Sequence, residues 1–129
     1  AARTWPQGTG KVGVVGFCLG GQLAVKAGLK ARADAVVSFY GVQLGQSLDE
    51  IADLGCPAQF HYGDADQHVP AETRAAIDGL AKRRANITSF TYPGAVHAFF
   101  NSFRPQGFDP AAYDQSRARM LAMLQEALR

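Results

Sequence analysis

Two rhythms of apolar and polar residues take turns along the chain. Four short, almost unbroken apolar runs, Lys11 to Phe17, Ala35 to Tyr40, Pro57 to Tyr62 and Ile87 to Tyr92, are punctuated by Gly41, by Gly55-Cys56-Pro57 and by Pro93-Gly94. Runs of this length, rich in β-branched and aromatic residues and closed by glycine or proline, predict strands. The first is apolar enough to predict a strand buried on both faces. Between the runs the period lengthens to that of a helix. Leu19 to about Lys30 places Leu23, Ala24 and Ala27 on one face. Ser47 to Leu54 predicts a short helix with Ser47 as its N-cap and Glu50 completing a capping box. A third helix runs from Pro70, in its first turn, to about Arg84. After a loop from Asn101 to Asp109, the Asp109 side chain caps a last helix that has Pro110 at its first position and Met120, Leu121, Leu124 and Leu128 as its inner stripe.

Strand followed by helix, four times over, predicts an α/β fold: a parallel sheet of about four strands with helices on both faces, formed by residues 1–129 as one domain. In such a sheet, functional groups collect in the loops at the carboxyl ends of the strands. Candidate chemistry falls there. Directly after the first strand stands Gly16-Phe17-Cys18-Leu19-Gly20-Gly21, opening a helix. A strand-to-helix turn this sharp holds its middle side chain clear of the sheet, and small residues flank it because the backbone is strained and the helix packs close behind. Hydrolases of the α/β class usually present a serine this way; here the position holds Cys18. Asp64 and Asp66 follow the third strand and His97 follows the fourth, so the order is nucleophile, acid, histidine, as in α/β-hydrolase triads. A thiol at a helix N-terminus beside an imidazole is favoured as thiolate. The histidine can take and return a proton near neutral pH, and a carboxylate fixes its tautomer. The Leu19 N–H, next after the nucleophile, is placed to hold an oxyanion.

Composition narrows the picture further. A chain of 129 residues, 47% hydrophobic and with a formal charge of +2, has enough apolar material for one core and too little charge to argue for nucleic acid. The Lys82-Arg83-Arg84 cluster reads as a solvated helix end. No apolar stretch is long enough to span a bilayer, and two cysteines do not make a disulfide framework, which predicts a cytoplasmic protein without a membrane partner. Cys56 precedes the third strand, at the opposite end of the sheet from Cys18, and reads as structural. The nucleotide-binding pattern Gly-x-Gly-x-x-Gly is absent.

Three linked motifs then carry a family resemblance. The elbow Gly-Phe-Cys-Leu-Gly-Gly, the loop Gly63-Asp64-x-Asp66-x-x-Val69-Pro70 and the segment Gly94-x-x-His97-Ala98-Phe99-x-Asn101 together resemble the dienelactone hydrolases, from about Lys11 to the last helix. That resemblance implies hydrolysis of enol-lactones such as carboxymethylenebutenolide, or of ordinary small esters, through a Cys18-His97-Asp66 triad and an acyl-thioester, with no cofactor and no metal. It prefers Asp66 to Asp64 because the family's acid sits four residues before the loop's proline. Some members place an arginine where Asn101 stands here, to grip a substrate carboxylate, and Arg104 is a candidate substitute.

Around the triad, Tyr40 either lines the substrate pocket or plugs the core. Phe99, Phe100 and Phe103 either wall the site or pack beneath it. His68 adjoins the acid loop and is a further pocket candidate, but the sequence shows no convergent ligands for a metal; His61, within a strand, reads as structural. Members of the family carry several strands before the nucleophile strand, which supply a second oxyanion donor, whereas this chain reaches that strand within about a dozen residues. The chain is therefore expected to be the C-terminal portion of such a fold. The bare edge of Lys11 to Phe17 would be covered by a second copy or by a missing N-terminal half. Two other functions remain open: a catalytically incomplete fragment serving as an assembly or regulatory module, and a thiol-based redox sensor.

Overall fold

The computed structural model describes residues 1–129 and contains one four-stranded parallel sheet. In chain order its elements are β1 (Gly13–Phe17), α1 (Leu19–Lys30), β2 (Ala35–Phe39), α2 (Leu48–Ala52), β3 (Ala58–Gly63), α3 (Ala71–Arg83), β4 (Ile87–Tyr92) and α4 (Pro110–Ala127). The strands lie side by side in sequence order, which leaves β1 and β4 as edges. The register aligns Val15 with Val37, Val37 with Gln59 and Gln59 with Thr88, so side chains two apart share a face. One face carries Val36, Ala58, Phe60, Tyr62 and Ile87, packed with Ala24 and Val25 of α1, Ile51 of α2 and Ile77 of α3. The other carries Val37, Phe39 and Tyr92, packed with Ala112, Met120, Met123 and Leu124 of α4. Helices thus cover both faces, as the alternating pattern predicts.

Several local expectations are corrected. β1 is not buried on both faces: Val15 and Phe17 remain 39% and 40% exposed. The strand has a neighbour on one side only, and Phe17 is held by stacking on Phe39 at 4.9 Å. On α1 the buried residues are Gly21, Ala24, Val25 and Gly28, whereas Leu23 is 54% exposed. Close helix–sheet contact favours the small residues and turns Leu23 away. Ser47 stands at the start of α2 but makes no side-chain cap; its N–H bonds Leu44 O of the preceding 3-10 turn, which fixes the helix start instead. Pro70 is the residue before α3 rather than within it. Asp109 does cap α4, accepting from Ala112 N at 3.0 Å. Met123, not Leu121, completes the stripe that α4 packs on the sheet. No helix is long and apolar enough to cross a membrane.

Candidate active site

The carboxyl ends of all four strands converge on one rim, and each brings a chemical group. After β1 the chain turns sharply at Cys18, whose backbone sits at φ 58° and ψ −121°. A non-glycine residue at positive φ is strained and persists only where its surroundings hold it. Here they do: Cys18 N–H donates to Phe39 O at 3.0 Å, and Cys18 O accepts from Gly21 N at 2.9 Å and Val42 N at 3.3 Å. The turn also explains its glycines unequally. A Cβ on Gly16 would lie 1.9 Å from Gly20 O, and one on Gly21 would lie 2.6 Å from Ser38 Oγ, whereas a Cβ on Gly20 would meet nothing within 4 Å. Leu19 N–H, the first amide of α1, has no intramolecular acceptor. It is one of the unpaired donors that every helix start leaves over.

After β3 and β4 the loops join through a carboxylate and an imidazole. The Asp66 side chain is fully buried, and its Oδ2 accepts from His97 Nδ1 at 2.8 Å. Its Oδ1 accepts from the backbone N–H of His68 at 2.7 Å. With Nδ1–H committed to the carboxylate, His97 Nε2 is left as an acceptor. Asp64, two residues earlier, is exposed and serves the scaffold: its Oδ1 accepts from Gly94 N at 2.7 Å, tying the β3 loop to the turn before His97. Ala98, immediately after His97, is at φ 65°. Backbone strain thus marks both the elbow and the histidine loop.

Tyr40, directly after β2, is the hub between them. It too has a positive φ, 39°, and its buried ring lies edge-on to His97 at 5.0 Å and to Phe99 at 5.3 Å. Cys18 packs against the same cluster. Burial first, then the charges of Cys18 and Asp66, push the Tyr40 phenol well above its usual range, so it stays protonated. The structure therefore brings Cys18, Tyr40, Asp66 and His97 to one rim and bonds Asp66 to His97. The Cys18 thiol makes no hydrogen bond with His97.

Two hollows open beside this group. One, about 240 Å³, is lined by His68, His97, Arg104, Gln67 and Gln106 among others. The second, about 390 Å³ and mostly apolar, is bounded by Phe17, Tyr40, Phe100, Phe103, Tyr113 and Asn101. Asn101 is exposed at its rim, where Oδ1 accepts from Phe103 N at 3.0 Å. Phe99 lines neither: it is fully buried and packs on Tyr92 and Tyr40. Sequence reasoning missed Phe17 and Tyr113. The elbow motif itself contained Phe17, but strand alternation alone does not say which face a neighbouring loop will wall. Tyr113 reaches the hollow only through the docking of α4, for which no local signal exists. His68, 65% exposed along its side chain, lies with its ring tilted 37° and 4.3 Å from the His97 ring. The fold brings together what the sequence did not identify: one potential ligand atom each from Asp66, His68 and His97 lies within 4.8 Å of the others.

His61 is remote from this chemistry. Its ring stacks on Phe39 at 4.6 Å and on Phe90 at 5.4 Å, while its nitrogens bond Tyr92 OH at 2.9 Å and Gln59 Oε1 at 3.1 Å. Burial, with a smaller push from Arg119, lowers its pKa to about 3 and keeps the ring neutral. Both cysteines are free, Cys56 buried in the core.

Residues 1–128 match the model of the dienelactone hydrolase family. The chain is 37% identical over 123 residues to carboxymethylenebutenolidase 1 of Cupriavidus pinatubonensis, covering 95% of this chain and 52% of that one. It is 45% identical over 98 residues to the carboxymethylenebutenolidase of Pseudomonas putida, covering 76% of this chain and 42% of that one. Its backbone superposes with a TM-score of 0.74 on a dienelactone hydrolase-like promiscuous phosphotriesterase from metagenomic libraries, at 24% identity, over 92% of this chain and 53% of that one; this likeness speaks for the fold. The chain spans about half the length of the relatives it matches.

Proposed function

This chain belongs to the dienelactone hydrolase family, and on that premise we propose that it carries the nucleophile, base and acid of a hydrolase that opens a small lactone or ester, of the kind the carboxymethylenebutenolidases are named for. The observation that carries this reading is the buried Asp66–His97 hydrogen bond of 2.8 Å on the same rim as a strained cysteine turn at the head of a helix. The Cys18 side chain rotates toward His97 Nε2 as substrate binds, and catalytic hydrogen bonds often tighten only in the complex. Nε2 takes the thiol proton, and the sulfur attacks the carbonyl carbon. Leu19 N–H holds the resulting oxyanion. The carbon–oxygen bond then breaks as Nε2–H protonates the departing oxygen, leaving an acyl-thioester on Cys18. Water repeats the sequence: Nε2 takes its proton, hydroxide adds to the thioester carbonyl, the acid leaves as the carbon–sulfur bond breaks, and the departing thiolate takes the proton back from Nε2. Asp66 holds the ring in the Nδ1–H tautomer throughout and stabilises its cationic form.

Tyr40 and the aromatic hollow beside it are the proposed seat of the acyl portion, with Asn101 at the rim and His68 on the opposite side of His97. The chain acts in this reading as the C-terminal portion of a longer fold, in the cytoplasm, where a free catalytic thiol persists. The open side of β1 is where further strands pair, from an N-terminal half or from a second copy, and they complete the oxyanion hole. That open side also favours a second reading, a fragment that keeps the triad and serves only in assembly. The two part on one experiment. With p-nitrophenyl acetate, the hydrolase reading expects a burst of p-nitrophenol and an acetyl group on Cys18 by mass spectrometry, both lost in Cys18→Ala. No burst favours the assembly reading, and a burst that survives in Cys18→Ala ends the proposed mechanism.

A further inference from the structure

Asp66 is a buried carboxylate whose only ion-pair partners are two imidazoles, His97 through Nδ1 at 2.8 Å and His68 through Nδ1 at 3.5 Å. Each of its oxygens accepts one N–H, from His68 N and His97 Nδ1, and no Lys or Arg pairs with it, so its negative charge is available to a cation. The three ligand atoms already lie within 4.8 Å of one another. A tetrahedral zinc site has bonds of about 2.0–2.2 Å and therefore ligand atoms about 3.3 Å apart. The two rings meet different carboxylate oxygens, His97 at Oδ2 and His68 at Oδ1, so one ring must turn for both to share an ion with a single oxygen. The remaining adjustment falls on His68, whose side chain is 65% exposed and has room to turn. A hollow of about 240 Å³ opens beside them, lined by His68 and His97. Arg104 lines the same hollow and is the one charge there that opposes a cation.

The geometry points to Asp66, His68 and His97 as a three-ligand site for a borderline-soft divalent cation, Zn2+ in particular, whose binding reversibly shuts off the His97 base. Imidazole and carboxylate donors suit zinc, whereas Mg2+ and Ca2+ favour shells built from oxygen. Zinc takes the Nδ1 lone pair, so the ring proton moves to Nε2. A neutral ring with Nε2–H cannot accept the thiol proton. Asp66 exchanges its hydrogen bond from His97 for a bond to the metal, and no net proton is released. This consequence for turnover rests on the hydrolase reading; the binding itself does not.

Equilibrium dialysis of the full chain against Zn2+ tests the site directly. One Zn2+ per chain at low micromolar free metal is expected, with the same stoichiometry in Cys18→Ala and no uptake of Mg2+. Loss of an outer-sphere partner commonly weakens a metal site by about 10–100-fold, so His68→Gln, which removes a direct ligand, should weaken this one by at least about tenfold. Because His68 is exposed, that variant is expected to fold, and its circular dichroism checks this. Failure to bind Zn2+, binding abolished by Cys18→Ala, or binding unchanged in His68→Gln each overturns the inference. Should Zn2+ bind as described while no acetyl-enzyme ever forms, only the hydrolase reading falls. Should p-nitrophenyl acetate be turned over while no Zn2+ binds, only the metal site falls.

Discussion

The two sides of the candidate catalytic rim are finished to different degrees. On the β3–β4 side, Asp66 is buried, both its oxygens are bonded, and its loop is tied across to Gly94 through Asp64. Beneath it, His61, Tyr92, Gln59 and Arg119 form a packed polar network. On the β1 side the nucleophile turn is equally well pinned in its backbone, but its surroundings are open. Val15, Phe17, Leu19 and Leu23 are each more than a third exposed, and the outer edge of β1 has no strand beside it. An acid–base pair can be assembled by two loops of one half-domain. In the proposed reading, the cysteine turn and its oxyanion hole need further strands around them. This contrast agrees with a chain that spans about half the length of its relatives.

The strongest way to break the contrast is chemical. Asp66→Asn keeps the shape of the finished side but removes the charge that fixes the His97 tautomer. In the serine-protease triad the equivalent change costs about 10⁴ in kcat, and a fall of that order, roughly, is expected here in the p-nitrophenyl acetate assay. A loss of less than about tenfold would mean the Asp66–His97 pair is not the working base. Next comes packing. Phe60→Ala, in the fully buried core, should cost about 3–5 kcal/mol in urea unfolding. Phe17→Ala, on the open strand, should cost only about 1 kcal/mol, because much of that ring is already in water. Equal costs at the two positions would show that β1 is covered in solution.

A third comparison lies within the elbow. Gly16→Ala drives a Cβ into Gly20 O and should destabilise by about 1–3 kcal/mol or more, while Gly20→Ala, with open space around it, should be near neutral or gain helix propensity. Thermal unfolding of the two variants reads the difference. At neutral pH the least visible effect is a pH dependence confined to the finished side, which emerges only in acid. His61 binds its proton only near pH 3 in the folded protein and near 6.5 once unfolded. Below about pH 6.5 the unfolded chain therefore holds a proton that the folded one does not. Stability from this group is fully present above that pH and falls toward pH 3 by up to about 1.4 kcal/mol per unit. His61→Gln should flatten that part of a stability–pH curve; an unchanged slope would place the acid sensitivity elsewhere.

Much of the fold was legible because its signals are local. Strand runs, helix periods, the Asp109 cap and the glycines of the elbow each follow from neighbours within a few residues, and the chain order of Cys18, Asp66 and His97 maps onto the ends of β1, β3 and β4. The two aspartates of the β3 loop show where local reading stops. The family resemblance favours Asp66, but only the fold shows that Asp66 is buried against His97 while Asp64 turns outward to Gly94. The exposure of Leu23 and the burial of Phe99 were likewise invisible, since a helical or loop residue's environment depends on what docks against it.

By itself, then, the order of residues determined the parallel α/β layout, the strained cysteine turn and the loops from which chemistry comes, because backbone preference and side-chain period act over short stretches. Tertiary structure alone decided which carboxylate meets the imidazole, that the His68 ring lies beside it, and that Phe17 and Tyr113 bound one hollow. Those outcomes depend on contacts between segments some thirty or more residues apart, and distances across a folded chain are set by packing rather than by sequence spacing.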